Sequence, residues 1–149
     1  MSKCAVLSTN HVGLVVEDLD RFLTIMTELF DYTVIDRGPR DVAVQSKVTN
    51  HPEATVEIAY ITGGGFTLEV LCYAQTKGVQ TFTPRVVDVG HWHLSINIED
   101  IEKTRSEAKA YGLHELGSLI TVGNGPNKGN KILYMGTPEG IVIELTQQY

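Results

Sequence analysis

The sequence predicts an α+β fold built from two βαβββ modules, and three observations predict it. Strand-like and helix-like segments follow one another in the same order in both halves of the chain. The segment HVGLVVEDL, which starts at His11, returns as HLSINIEDI, which starts at His93, 82 residues later. Finally, 149 residues suffice for one compact domain that buries roughly 70% of its unfolded surface. An internal repeat of this length is two copies of one supersecondary unit.

The elements follow in order. HVGLVV alternates as a strand and stops at EDLDRFLTIMTELF, where Leu19, Phe22, Leu23, Met26, Leu29 and Phe30 fall at helical spacing. Asp18 is placed to cap that helix, and Asp20 favours its positive end. YTVIDRG, VEIAYIT and FTLEVLCY then read as three strands, with a long polar segment over 39–55 and the turn GGG at 63–65. Residues 74–89 carry no periodic pattern and read as a linker. The second half restarts with the strand HLSINI, an acidic junction and a helix closed by Gly112. A weak strand near 115–122, the loop GNGPNKGN, and the strands KILYM and IVIELTQ on either side of GTPEG complete it. The modules therefore span about 8–75 and 89–149 of a single domain, joined by 76–88.

Composition removes several function classes. A net charge of −6 with only 12 basic residues lacks the cationic face that neutralises a phosphate backbone, so nucleic acid is not an expected partner. No apolar run approaches the ~18 residues of a membrane span, and the N-terminus has no apolar signal region. Cys4 and Cys72 have no pairing pattern, which points to a reducing compartment, the cytoplasm, and excludes a thiolate zinc cluster.

Strand parity gathers the polar residues. His11 shares a face with Gly13 and Val15, and His93 shares one with Ser95 and Asn97, while Val12, Leu14, Val16, Leu94, Ile96 and Ile98 point the other way. On the last strand of each half a carboxylate stands among apolar residues, Glu69 in FTLEVLCY and Glu144 in GIVIELTQ, 75 residues apart. An unpaired buried carboxylate is costly, so a cation or a shared proton must compensate each one. A lone strand histidine is more often a core or surface residue than a ligand; the duplication is what raises His11 and His93 above that reading. If the two sheets curl into one cleft, two imidazoles and two carboxylates converge there and suit a divalent transition metal, Zn, Ni, Co, Mn or Fe(II). His91 has the same parity as His93 and rivals it as a ligand. The repeat register favours His93 and leaves His91 near the mouth of the cleft. His51 and His114 lie in polar or helix-end segments and read as solvated.

The paired βαβββ units, the openings HVGLVVEDL and HLSINIEDI, and the closing YMGTPEGIVIEL resemble the vicinal oxygen chelate superfamily across the whole chain. That group includes glyoxalase I, methylmalonyl-CoA epimerase, extradiol dioxygenases, fosfomycin-resistance enzymes and metal-free bleomycin-binding proteins. The resemblance implies a curved eight-stranded sheet around a metal-binding cleft, with helices on its outer face. It also implies a metal held by strands one and four of each module, which by position means His11, Glu69, His93 and Glu144. This His, Glu, His, Glu set is similar to that of bacterial-type glyoxalase I and close to that of the epimerase. In the lyase and epimerase branches, glutamates beside the metal share proton abstraction next to a carbonyl, here Glu144 and Glu69. His91, Asn97, Arg85 and Tyr134 are the residues assigned to substrate contact. Arg85 lies in a variable loop, with surface solvation as its plainer reading. Exposed sheet edges together with the resemblance predict a homodimer.

The expected function is a metal-dependent lyase or isomerase that chelates vicinal oxygens of a small molecule and stabilises an enolate or enediolate during proton transfer. One alternative is an extradiol-type Fe(II) or Mn(II) dioxygenase. Tyr134, Thr137, Pro138, Gly140 and Glu144 fit the second half of that signature, but GPNKGN stands where its acid/base histidine is required. Another alternative is a non-catalytic, ligand-sequestering protein, whose metal-free examples lack these ligands.

Overall fold

The computed structural model describes residues 4–149. The chain divides at Val79 and Gln80 into two compact units, and each contains a βαβββ module.

In the first unit, β1 (Val12–Val16) leads into α1 (Leu19–Thr24), which continues as a π turn over Ile25–Leu29. Asp18 caps α1 by accepting from the Arg21 N–H at 3.0 Å, as its position ahead of the apolar stripe predicts. The stripe is buried: Phe22 and Met26 are inaccessible to solvent, and Leu19, Leu23 and Ile25 are nearly so. β2 (Thr33–Pro39), β3 (Glu57–Gly63) and β4 (Phe66–Cys72) follow. They form a sheet of order β1-β4-β3-β2, with β1 parallel to β4 and the other pairs antiparallel. β2 lies at the edge, which is where a strand ending in Pro39 belongs. On the side that receives the helix, Leu14, Val16, Ile61, Leu68 and Val70 are buried, each such side chain contributing about 1.5–3 kcal/mol.

The polar segment over 39–55 contains a helix that its pattern does not predict, α2 (Val42–Thr49). Asp41 caps it through the Val44 N–H at 2.9 Å, and Asn50 ends it at φ 53°, a left-handed conformation that asparagine tolerates. None of its residues is buried. With no apolar stripe directed at a core, there is no helical period to read.

The second unit repeats the topology. β5 (Leu94–Asn97), α3 (Ile101–Ala108), β8 (Lys131–Gly136) and β9 (Val142–Gln147) stand where β1, α1, β3 and β4 do. β5 is parallel to β9, and β8 is antiparallel to it. Gly112, at φ 80°, closes the helical turn over Lys109–Tyr111 that follows α3. The weak strand expected near 115–122 is two short pieces, β6 (His114–Glu115) and β7 (Ile120–Thr121), both paired to β8. Gly117 and Ser118 lie in the break, so among the described residues the strands number nine in two sheets. Ile101, Leu133, Met135, Ile143 and Leu145 make this unit's core.

Candidate functional site

Parallel pairing of the first and last strands fixes which side chains meet in each unit. In the first, Gly13 is the register partner of Glu69, and Tyr60 is its partner on the other side. His11, two residues ahead of Gly13, brings its Nε2 to 3.2 Å from Glu69 Oε2. In the second, Ser95 and Tyr134 flank Glu144 in the same way. His93, two residues ahead of Ser95, brings its Nε2 to 3.0 Å from Glu144 Oε2. The glutamates are the less exposed members of these pairs, at 17% and 11% of side-chain surface against 29% and 34% for the imidazoles.

In both pairs Oε2 faces the imidazole while Oε1 is held by protein hydroxyls. Tyr60 donates to Glu69 Oε1, and its ring meets that of His11 edge-on at 5.5 Å. That hydrogen bond, more than burial, raises the Tyr60 phenol above its ordinary pKa. Glu144 Oε1 accepts from Ser95 Oγ at 3.1 Å and from Thr146 Oγ1 at 3.1 Å, and the two hydroxyls lie 3.2 Å apart. Tyr134, 5.0 Å from the His93 ring, is also raised, but first by burial, then by the charge of Glu144, and least by a hydrogen bond to it.

The donor chemistry fits a divalent ion. Two ligands about 2.1 Å from one ion are about 3.0 Å apart at a right angle and about 3.4 Å apart in a tetrahedron, and the Nε2–Oε2 separations of 3.2 and 3.0 Å fall in that range. The other nitrogen of His11, Nδ1, faces Asn10 Oδ1 at 2.6 Å. Among the described residues, no three or more His, Cys, Asp or Glu side chains cluster as a metal site; the His–Glu pairs are two-membered.

The remaining predicted residues fall elsewhere. The His91 ring stacks on His93 at 6.2 Å with 28° between planes, and its Nε2 is buried with no hydrogen-bond partner. Arg85 is exposed and engaged with Asp88 through Nε and Nη2, which holds the Asp88 carboxyl below its usual range. Asn97 is exposed on β5, in register with Thr146. Tyr60 is the residue that sequence reasoning missed. The signal for it was present: Tyr60 precedes Glu69 by nine residues, and Tyr134 precedes Glu144 by ten. A polar groove at the start of α1 is lined by Asp18, Asp20, Arg37, Glu57 and Cys72, where Arg37 is already paired with Asp20 and Glu57 at 2.7 Å each.

These features have counterparts in known proteins. An Actinomyces sp. protein named 2-epi-5-epi-valiolone epimerase is 30% identical, over 93% of this chain and 78% of its own. The crystal structure of a glyoxalase family protein from Bacillus cereus superposes with a TM-score of 0.82 at 23% identity, covering 99% of this chain and 97% of that one. The fosfomycin resistance protein FosX from Listeria monocytogenes, in a structure with Mn(II) and sulfate, superposes with a TM-score of 0.65 at 13% identity, covering 97% and 95%; these structural likenesses show a shared fold. Residues 8–145 match the Glyoxalase/Bleomycin resistance protein/Dioxygenase superfamily, and the chain belongs to that superfamily.

Proposed function

We propose that this protein is a metal-dependent lyase or isomerase in which His11, Glu69, His93 and Glu144 bind one divalent transition metal, Ni, Co, Zn, Mn or Fe. One observation carries the reading: each module builds the same imidazole–carboxylate pair, Nε2 to Oε2, at 3.2 and 3.0 Å. A bound ion supplies Lewis-acid stabilisation of the negative charge that develops on substrate oxygens. The chain's own residues do the rest. A carboxylate of Glu69 or Glu144 takes the proton from a carbon next to a carbonyl, leaving its electron pair as an enolate. Return of a proton to the opposite face inverts the centre; where that carbon also bears a hydroxyl, the hydroxyl proton moves to the former carbonyl oxygen through the enediolate, and return of the carbon-bound proton to the former carbonyl carbon isomerises the substrate. The epimerase relative supports inversion as the outcome. His91, Asn97, Arg85 and Tyr134 are the proposed substrate contacts. The reading takes residues 8–75 and 89–149 as modules of one domain acting in a cytoplasmic homodimer, a state that the open edges of β1 and β5 favour.

The test is elemental analysis followed by exchange. Protein loaded with each of the five metals is incubated in D2O with 2-epi-5-epi-valiolone, and separately with a 2-oxoaldehyde hemithioacetal. The expected result is one divalent ion per chain and metal-dependent deuterium incorporation next to the carbonyl, both lost in His93→Ala. Oxygen uptake with a catechol would transfer the assignment to a dioxygenase. Ligand binding with neither metal nor exchange would transfer it to a sequestering protein.

A further inference from the structure

The two glutamates share a backbone register but not their hydroxyl partners. In the second module the partners of Glu144 Oε1 are Ser95, opposite it on β5, and Thr146, two residues on along β9. Stepping through the same register in the first module gives Gly13 opposite Glu69, and Leu71 two residues on along β4. Neither has a hydroxyl. A Cβ placed on Gly13 would lie 3.6 Å from Glu69 Oε2 and 3.7 Å from Leu71 Cδ1, and neither Gly13 nor Leu71 brings a side-chain donor to Glu69. The hydrogen bond to Oε1 comes instead from across the sheet, from Tyr60 on β3.

We propose that Tyr60 is the positioning residue of Glu69: among the described residues its phenol alone holds Oε1, which keeps Oε2 on the His11 edge, whereas Glu144 has two aliphatic hydroxyls on Oε1 and does not depend on Tyr134 alone. This rests on the proposed function insofar as the oriented carboxylate is a metal ligand. The orientation itself does not require metal. A carboxylate with one tether turns about its last side-chain torsion when that tether is cut, and one with two tethers stays. The hydroxyl partners of a ligating group are worth about 10–100-fold in metal affinity, and in the first module that effect falls on one atom.

The experiment compares Tyr60→Phe with Tyr134→Phe, each of which removes only a hydroxyl. In metal-free protein labelled with carboxyl-13C glutamate, the Glu69 resonance is assigned by its loss in Glu69→Gln, and the Glu144 resonance by its loss in Glu144→Gln. Tyr60→Phe is expected to move the Glu69 signal, while Tyr134→Phe leaves the Glu144 signal in place. In Co(II) titrations followed by visible absorption and calorimetry, Tyr60→Phe is expected to weaken binding about tenfold or more, and Tyr134→Phe by less than about threefold. Adding Tyr60→Phe to Glu69→Gln should cost nothing further, which a general loss of folding would not reproduce. Equal losses in the two phenylalanine variants, or an unmoved Glu69 resonance in Tyr60→Phe, would overturn the proposal. Wild-type protein that takes up no Co(II) would instead overturn the proposed function, with the Glu69 resonance still deciding the role of Tyr60.

Discussion

In the first module Glu69 stands between Gly13 and Tyr60, and in the second Glu144 stands between Ser95 and Tyr134. The backbone neighbours correspond one for one, as does the histidine two residues ahead of each first-strand partner. What differs is the source of the hydroxyl on Oε1, a neighbouring strand's phenol in one case and two aliphatic hydroxyls in the other. The comparison separates two levels of conservation within one chain. Strand register is set by main-chain pairing and by burial of one face, and a slip of one residue would turn every core side chain to solvent. The partner of a single carboxylate oxygen carries no such global constraint, so it can be supplied from either side.

The strongest way to break the comparison is to remove the imidazole it pairs across modules. His93→Ala should abolish tight divalent-metal binding, with a loss beyond the roughly 100-fold typical of outer partners, while His91→Ala stays within about threefold. Calorimetric titration with Co(II) or Mn(II) measures both. Equal losses would mean that the stacked His91, whose Nε2 is buried without a hydrogen-bond partner among the described residues, contributes as much as His93 and that the correspondence with His11 fails.

A smaller effect tests whether the modules are also equivalent in packing. Each third strand ends on a glycine pressed against a side chain of the second-strand region. A Cβ on Gly63 would come within 2.6 Å of the Tyr32 ring, and one on Gly136 within 2.9 Å of the His114 ring. Tyr32 is 7% exposed and has little room to withdraw, whereas His114 is exposed and can swing out. Gly63→Ala is expected to destabilise by about 1–3 kcal/mol and Gly136→Ala by no more than about 1 kcal/mol, read from urea unfolding. Similar costs would show that His114 is held as firmly as Tyr32.

How much of this was legible in the sequence depends on what each feature answers to. The βαβββ order, the cap at Asp18, the closure at Gly112 and the inward set Leu14, Val16, Leu68 and Val70 were readable because burial imposes a period on them. Parity placed His11 and Glu69 on one face and His93 and Glu144 on the corresponding one, through offsets of 82 and 75 residues; that each imidazole meets the carboxylate of its own module is seen only in the structure. α2 was not readable, because all of its side chains lie outside the core. Tyr60 was not, because a residue in the middle of an apolar strand reads as packing until the register places it beside Glu69. Nor could Gly13 and Leu71 be seen as missing hydroxyls before Ser95 and Thr146 were seen to hold Glu144.

That last contrast yields the finest prediction, since it asks whether anchoring can be moved between modules by register alone. Gly13→Ser would set a hydroxyl opposite Glu69, nearest its Oε2, as Ser95 is set opposite Glu144, where it lies 3.1 Å from Oε1; a carboxylate released from Tyr60 can turn either oxygen to it. The space is sufficient: the added Cβ makes ordinary contacts of 3.6 and 3.7 Å, and the backbone there needs no left-handed conformation. Leu71 remains where Thr146 provides the second hydroxyl, so replacement of the tether is partial. In wild-type protein, where Tyr60 already occupies Oε1, Gly13→Ser should leave Co(II) affinity within about twofold. In the Tyr60→Phe background it should recover about threefold to tenfold, the worth of one hydrogen bond to a charged acceptor. Calorimetric titration of the single and double variants gives the coupling directly. Recovery confined to a variant that also carries Leu71→Thr would show that the pair of hydroxyls, 3.2 Å apart in the second module, is the smallest unit that holds the carboxylate.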